Sequence, residues 1–548
     1  MSGSIARTIR RWFDPEQGVA DHQISRWIFL RALGLIYFSA FYSLVFQIRG
    51  LIGPRGILPA EEYLAWVTKD LGAIRLWFAP TLLWFSSSTH MLMALCWAGI
   101  IASLVIVANV WPRAMFVVCF VCFLSFVSAA GDFSGYQSDG MLLEAGFLAL
   151  FFVPGGFFPG WGNAWFPPRA SLFLLRWEWF RIYFESGVVK LASGDEQWRH
   201  LTAMDQYYQN GPLPTWIGWY VQHLPHWFQA STVVATLGME LVLVWMLFLS
   251  RRWRIVCFFL VTPWQIVVIL TANYTFLNYI VLALGFLLLD DRVLVRFVPM
   301  RWRASLLLTK ESEVKLESDL SSEDTSEASG TSPQAQPSRI VQHLHALRLA
   351  VIAVALTWVF YATSLPMLQM FWRRIPLPEG PVTALEPFRI ANQFGLFAVM
   401  TPHRFEIEFQ GSNDGQTWIV YPFLYKPQDV TEAPRIYAPY QPRFDWNLWF
   451  ASLGTWSQYP IVPRTEELLL VNDPDVLQLF ARNPFADKPP LMVRAVLWQY
   501  WFSTIQEKRT QGIWWRRQLL GTYAPTLAID PNGRIGILAE PRLSPPQD

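Results

Sequence analysis

The residues best suited to chemistry lie close together in one apolar stretch near the middle of the chain. The segment RWEWFRIYFESGVVK, residues 176–190, is typical of a membrane helix, yet five of its side chains are ionisable. They are Arg176, Glu178, Arg181, Glu185 and Lys190. An ionisable group at bilayer depth costs about 2.5–3.5 kcal/mol, so such groups normally face a protein interior or a water-filled cavity. The sequence therefore predicts a polar interior within a bundle of membrane helices.

The spacing of these groups predicts ion pairs along one helix face. At about 100° per residue, Glu178, Arg181 and Glu185 share a narrow face, on which Arg181 is able to pair with both carboxylates. Glu144 and Glu240 lie in two other apolar runs and would add acidic groups to the same interior. Two interpretations stay open: an ion-pair network that locks helices together, or a site that lines a cavity.

Lys190 is the candidate catalytic residue of this segment. It follows Ser186 and Gly187 near the predicted outer end of the helix. A partly buried lysine with a lowered pKa can act as a base. The alternatives are an ion pair with a neighbouring carboxylate, or an anchor whose ammonium group reaches the membrane surface.

The composition indicates a polytopic membrane protein. The 548 residues are 53% hydrophobic and only 15% charged, whereas soluble domains average about 25% charged. The formal net charge of +2 gives no basis for a nucleic-acid partner. All four cysteines lie in apolar runs, which excludes a disulfide framework in the polar C-terminal part.

No motif for a cofactor or a metal stands out. His223 and His226 form a close pair, but Pro225 separates them and no third ligand lies nearby. The chain also lacks a P-loop, a dinucleotide-binding fingerprint and a zinc motif. We therefore predict neither a metal site nor a bound cofactor.

Nine apolar runs are candidate membrane spans, which predicts eight or nine crossings. They lie near residues 27–48, 90–109, 113–130, 140–154, 171–191, 231–249, 254–272, 275–289 and 346–366. Because Lys and Arg concentrate on the cytosolic side, the basic clusters around Arg10, Arg252 and Arg301 place the N-terminus in the cytosol. With nine spans, the region after residue 366 lies outside the cytosol.

The C-terminal part changes from apolar runs to strand and turn patterns. RFEIEFQ (404–410) alternates apolar and charged residues as a strand does, and Asn413-Asp414-Gly415 is a hairpin signal. Residues 463–482 and 491–509 carry helical patterns. We expect a β-sandwich-like domain with appended helices.

These patterns divide the chain into six parts. They are a cytosolic N-terminus (1–26), a transmembrane bundle (27–310), a disordered acidic cytosolic linker (311–338), a last transmembrane helix (339–370), an extracytoplasmic β-rich domain (383–530) and a tail (531–548). The linker prediction depends on its acidic, serine-rich and aromatic-free composition.

Several segments resemble the lipase maturation factor family. The resemblance covers residues 134–154, 180–228, 272–291, 394–418, 437–454 and 479–502, in order through most of the chain. It implies a membrane-bound factor that helps exported lipases reach their active, assembled form, with much of the C-terminal part outside the cytosol. The cysteine-free C-terminal domain and the lack of an obvious endoplasmic reticulum signal favour a bacterial member in the inner membrane; a eukaryotic member would lie in the endoplasmic reticulum membrane.

A shorter likeness concerns Lys190. The segment SGVVKL (186–191), followed by the loop around Trp198, is similar to a stretch of vitamin K-dependent carboxylase-like membrane proteins. In those proteins the matching lysine serves quinol chemistry. The likeness implies a shared bundle architecture and raises the alternative of a base at Lys190.

Two functions from different classes follow. The first is a maturation factor without chemistry of its own, whose partners are membrane lipid and an exported client protein, expected to be a lipase. The candidate client-binding residues are Tyr437, Arg443, Asp445, Trp446 and Trp449, although Arg443 and Asp445 would serve equally to fix the domain against the bundle. The second is an integral-membrane enzyme that acts on a lipid or quinone-like substrate, with Lys190 as its base.

Overall fold

The computed structural model describes residues 2–163, 165–300, 303 and 339–547. The predicted linker 311–338 lies outside the described residues. The longer helices are α1 (Ser2–Phe13), α2 (Gln23–Val45), α3 (Ala60–Leu71), α4 (Thr89–Val107), α5 (Pro112–Val127), α6 (Gln137–Phe152), α7 (Arg169–Ala192), α8 (His226–Leu241), α9 (Arg251–Thr271), α10 (Leu277–Gly285), α11 (Arg339–Gln369), α12 (Arg443–Ser452) and α13 (Ile461–Leu470). Shorter helices include Trp216–Gln222 and Ile505–Gln511.

Five helices in the described part of the chain are long and apolar enough to cross a membrane, which makes this an integral membrane protein. They are Gln23–Val45, Thr89–Val107, His226–Phe248, Arg251–Thr271 and Ile340–Gln369. The apolar helices Pro112–Val127 and Leu277–Leu288 are shorter. Helix α7 spans 24 residues but falls outside this set; its ionisable side chains lower its hydropathy.

The bundle is built around α2, whose Phe29, Tyr37 and Phe41 are fully buried. Helix α4 packs along α2, and α5 packs against α4. Gly99 permits the close approach of α4, because a Cβ at this position would lie 2.5 Å from the Phe41 ring. Helix ends follow local signals: the Ser88 hydroxyl caps α4, and Pro112 occupies the first turn of α5.

The C-terminal domain is a single antiparallel sheet covered by helices. Its strands are β1 (Arg404–Ser412), β2 (Ile419–Val420), β3 (Met492–Phe502), β4 (Trp515–Thr522), β5 (Thr526–Ile529), β6 (Ile535–Ala539) and β7 (Arg542–Leu543). The strand order is β2-β1-β3-β4-β7, and β5 pairs with both β3 and β6. The predicted hairpin is confirmed, since Gly411 pairs with Ile419 across the Asn413-Asp414-Gly415 turn.

Three predictions about this domain need correction. The strands form one sheet rather than a sandwich, and the helices α12 and α13 pack against its strands β1 and β3. The helical prediction for 491–509 is wrong over 492–502: β3 lies between β1 and β4 and is buried on both faces, so its sequence lacks strict alternation. Residues 531–548 are not a free tail, because β6 and β7 pair with the sheet.

Candidate functional site

The polar face of α7 binds the backbone of a segment that leads into the C-terminal domain. Arg181 is fully buried and forms an ion pair with Glu144 of α6. Its Nη1 also donates to the carbonyl oxygen of Asn392 at 2.5 Å. Glu144 Oε2 accepts from the backbone N–H of Asn392 at 3.0 Å and from its Nδ2 at 3.1 Å. The ion pair therefore holds Asn392 by its main chain and its side chain.

Three more acceptors continue this contact along the segment. Glu185 Oε2 accepts from the N–H of Phe394 at 2.6 Å. Gln137 Oε1 accepts from Gly395 N at 3.1 Å, and Ser186 Oγ accepts from Leu396 N at 3.3 Å. Buried N–H groups of a non-helical segment need partners. The polar residues of α6 and α7 supply these partners.

Glu178 does not take part in this contact. It is fully buried, and neither of its carboxylate oxygens accepts a hydrogen bond from a described residue. The spacing allows Arg181 to pair with both carboxylates of its own helix, but its ion pair in the structure is with Glu144 of α6. The carboxylate of Glu185 instead accepts the Phe394 N–H.

Arg176 lies apart from this cluster. Its Nε and Nη2 donate to the carbonyl oxygen of Leu287 at 2.9 and 2.6 Å. Nη2 also donates to Nε2 of His22 at 2.6 Å. Arg176 thus supplies the hydrogen-bond donors for a carbonyl oxygen that follows α10. It also connects this part of the chain to His22, at the start of α2.

Lys190 forms a second buried ion pair, with Glu240 of α8. Its Nζ donates to Oε1 and Oε2 of Glu240 at 2.8 and 2.9 Å, and it lies 5.3 Å from the centre of the Trp198 ring. Gly187 allows α8 to approach, because a Cβ there would lie 2.9 Å from Glu240 Cβ. Lys190 is only 2% exposed, so it is not a surface anchor; of the alternatives, the structure shows the ion pair.

A small cavity lies beside this pair. Its volume is about 80 Å³, and its lining includes Lys190, Glu240, Tyr183 and Gln265. Since a water molecule occupies about 30 Å³, the cavity has room for two or three waters. Ligand pockets for drug-sized molecules measure about 300–1,000 Å³, so this cavity in its present form is too small for such a substrate.

The predicted client-binding residues mostly face inward. Arg443 is fully buried and donates to both carboxylate oxygens of Asp139 at 2.7 and 2.8 Å. Asp445 is buried and accepts the N–H of Lys426 at 3.1 Å; desolvation by burial raises the pKa of its carboxyl to about 7. Trp446 is buried as well.

The remaining two residues of that set also contact the rest of the protein. Trp449 Nε1 donates to the carbonyl oxygen of Asn210 at 3.0 Å, and the Tyr437 N–H donates to Oδ1 of Asn273 at 2.7 Å. Both side chains are only half-buried. Arg443 and Trp446 contact the bundle, through Asp139 and the Tyr136 ring, whereas Asp445 accepts N–H groups of the C-terminal domain itself. Client binding by these five residues stays a prediction.

Comparison with known proteins places this junction between two domains of one family. The lipase maturation factor transmembrane domain matches residues 24–296, and the lipase maturation factor C-terminal domain matches residues 390–525. Lipase maturation factor 2 of Gallus gallus is 31% identical over 592 residues, covering 94% of the chain and 83% of the relative. The chain belongs to the lipase maturation factor family.

Other relatives are similar over comparable lengths. Lipase maturation factor 1 of Bos taurus is 30% identical, covering 92% of the chain and 89% of the relative. Lipase maturation factor 2 of Homo sapiens is 30% identical, covering 93% and 84%. No solved structure matches the chain.

Sequence reasoning missed three residues that hold the two family domains together. They are Asn392, which Glu144 and Arg181 hold, Asn273 and Arg404. Asn273 Nδ2 donates to the carbonyl oxygens of Leu213 and Arg435 at 3.0 and 2.8 Å. Fully buried Arg404 donates to Gln209 O at 2.9 Å and pairs with Glu406. The available signal was an isolated polar residue at the end of an apolar run, as in TANYTF for Asn273.

No group of three His, Cys, Asp or Glu side chains in the described part of the chain is placed to hold a metal ion. His223 binds backbone instead, with Nε2 3.0 Å from the carbonyl oxygen of Ser503. The four cysteines are buried and free.

Proposed function

We propose that this member of the lipase maturation factor family is a membrane-bound maturation factor for exported lipases that acts without chemistry of its own. The observation that carries the proposal is the similarity to named lipase maturation factors along 92–94% of the chain, through both domains. The geometry agrees with a scaffold, because the buried groups Arg181, Glu144 and Glu185 are occupied in joining the two domains.

The proposed topology has nine membrane crossings with the C-terminal domain outside the cytosol. What supports it is that the helix ends fall into two groups. At one end, His345 pairs with Asp14 at 3.3 Å and Asp291 N donates to Asp21 O at 2.8 Å. At the other end, loops that lie outside in a nine-span topology contact the C-terminal domain. These contacts include Arg443 with Asp139, Met400 N with Asp195 and Tyr437 N with Asn273.

The membrane is the bacterial inner membrane in this proposal. Alkaline phosphatase fused after residue 547 should be active, because this enzyme folds only in an oxidising compartment. The same reporter fused after residue 290 should be inactive. Activity at both positions, or at the inner position alone, would reject the topology.

The exposed edge of the sheet is the proposed client surface. Strand β6 pairs only with β5 among the described strands, and all five of its residues are exposed. Ile535, Ile537 and Leu538 give this edge an apolar character. Proteins normally protect such edges, and an extended client segment adds to a free edge through main-chain hydrogen bonds.

A complementation experiment tests this function. In the source organism, deletion of the gene should lower the activity of exported lipase per unit of lipase protein several-fold, and the wild-type chain should restore it. The double variant Ile537→Asp and Leu538→Asp should restore it poorly. Val471→Asp is the matched control, since Val471 is an equally exposed apolar residue of the same domain away from β6. Unchanged activity of every exported lipase after deletion would overturn the proposal.

One observation supports the second candidate function, an enzyme with Lys190 as its base. Lys190 and Glu240 line the cavity of about 80 Å³. An ammonium group has no free electron pair, so Lys190 acts as a base only in the form that has lost a proton. Mass spectrometry of lipids and quinones retained by the gently extracted protein tests this candidate. A stoichiometric bound quinone or lipid that Lys190→Met loses would favour the enzyme.

A further inference from the structure

Four arginines line a pocket at the end of the bundle that lies away from the C-terminal domain. Arg11 comes from α1, Arg169 and Arg176 from α7, and Arg254 from α9. The pocket has a volume of about 460 Å³. Three separate helices therefore bring four guanidinium groups to one concave surface.

This positive charge has no counter-ion in the described walls of the pocket, although the carboxylates of Asp21 and Asp290 attract Arg176 from outside the lining. No Asp or Glu lines the pocket. None of the four arginines belongs to an ion pair between described residues, although Arg251, three residues before Arg254, pairs with Asp290. The Nε of Arg254 is buried and has no hydrogen-bond partner among those residues. Like charges held together destabilise a site, so the arrangement points to an anionic ligand.

The rest of the pocket is apolar. Its other walls include Trp12, Leu172, Phe173 and Phe248. The pocket therefore offers charge on one side and an aromatic and aliphatic surface on the other. Helix α1 contributes to both, through Arg11 and Trp12, as expected for a basic amphipathic helix at a membrane surface.

We propose that this pocket binds the phosphate headgroup of an anionic phospholipid. A guanidinium group binds phosphate oxygens through a planar pair of N–H donors. Basic pockets between membrane helices suit such headgroups, while the apolar wall contacts the start of an acyl chain. The proposal is independent of lipase maturation, because it concerns the opposite end of the molecule.

The test is a titration of the full chain, purified in detergent and stripped of lipid. The probes are dihexanoyl-phosphatidylglycerol, dihexanoyl-phosphatidylcholine and inorganic phosphate, with binding followed by native mass spectrometry. We expect the phosphatidylglycerol to bind more tightly than the phosphatidylcholine. Arg11→Gln and Arg254→Gln should each weaken phosphatidylglycerol binding about fivefold. Arg252→Gln is the matched control, since Arg252 is exposed, lies beside Arg254 and does not line the pocket.

Any of three other outcomes would contradict the proposal. Equal affinity for the two lipids would show that the negative charge of the headgroup does not contribute to binding. Unchanged phosphatidylglycerol binding in both Arg11→Gln and Arg254→Gln would place the lipid elsewhere. Inorganic phosphate that binds as tightly as phosphatidylglycerol would identify a free-anion site instead of a lipid site. Arg11 is exposed, so its variant should fold and keeps the test decisive if Arg254→Gln is unstable.

Discussion

At the scale of single residues, the buried ion pairs of this protein differ in what their partners join. Arg181 with Glu144 and Lys190 with Glu240 join helices within the bundle, whereas Arg443 with Asp139 joins the bundle to the C-terminal domain. The removal of one partner from a buried pair leaves an uncompensated charge and costs about 3–5 kcal/mol, while replacement of both by apolar residues is often neutral. The difference in stability between single and double replacements therefore tests whether the two partners of each pair act together.

The Arg443–Asp139 pair gives the clearest case. Arg443→Met should strongly lower the thermal unfolding midpoint of the detergent-solubilised protein, because Asp139 stays buried without its partner. The double variant Arg443→Met and Asp139→Leu should recover much of the loss. If the double variant is as unstable as the sum of its two single variants, the pair does not act as a unit, and the structural role assigned to it is wrong.

Asp445 should make the domain sensitive to pH. Burial raises the pKa of its carboxyl from 3.8 to about 7 in the folded protein. Between these values the folded state binds the proton and the unfolded state does not, so stability falls as pH rises from about 4 to 7, by up to about 4 kcal/mol. Above pH 7 this contribution stays constant.

Asp445→Asn isolates this effect from other titrating groups. The stability difference between wild type and Asp445→Asn, measured by thermal unfolding at pH 5 and at pH 8, should shift in favour of the variant at the higher pH. The same difference at both pH values would show that the carboxyl does not titrate in this range in the folded protein.

Sequence reasoning identified the polar residues better than their partners. The cost of charge in a membrane helix predicts that Glu178, Arg181, Glu185 and Lys190 face the interior, and all four are buried. Pairing depends on which helix and which loop come near, and helical spacing carries no information about that. Arg181 pairs with Glu144 because α6 packs against α7 in the folded bundle.

At the scale of elements, α7 acts as a template for a segment without regular structure. Glu185 and Ser186 accept N–H groups of Phe394 and Leu396, and the N–H of Gly395 goes to Gln137 of α6. The ionisable residues of α7 predicted a polar site in the bundle. In the structure, Glu185 and Ser186 of this helix form hydrogen bonds with backbone N–H groups. The partner segment carries no strong signal of its own, because it is recognised through its main chain.

Two neighbouring carboxylates of α7 offer a matched comparison. Glu185→Leu removes the acceptor of the Phe394 N–H, and a buried donor left without a partner costs about 1–3 kcal/mol. We therefore expect the amide of Phe394 to exchange with solvent about ten- to a hundredfold faster, as measured by hydrogen exchange. Glu178→Leu is the control, since Glu178 is equally buried and accepts no hydrogen bond from a described residue. Equal exchange of Phe394 in the two variants would contradict the template role.

The sheet illustrates which elements a sequence can predict. Strand β1 alternates and the Asn413-Asp414-Gly415 turn is specific, so both were predictable. Strand β3 pairs with β1 on one side and β4 on the other, and α13 packs against it. Apolar residues therefore occupy both of its faces, and its sequence does not alternate between apolar and polar residues. Strand β6 is exposed throughout, and nothing in its composition separates it from a tail.

At the scale of the whole molecule, buried contacts join the two family domains in addition to the chain between them. Arg443 with Asp139, Arg181 with Asn392 and Arg404 with Gln209 all connect residues far apart in sequence. Each is buried, and together they connect the C-terminal domain to three different loops or helices of the bundle. The sequence predicts that residues 311–338 form only a solvated tether.

A cut in that tether should therefore leave the protein assembled. With a protease site inserted near residue 325, cleavage should produce two fragments that co-purify in mild detergent, because the buried contacts between them are intact. The cleaved protein should keep its thermal unfolding midpoint within a few degrees. In the Arg443→Met background the same cut should release the C-terminal fragment more readily, since one of the buried contacts is lost. Separation of the wild-type fragments after cleavage would show that the covalent connection, and not the interface, holds the two domains in place.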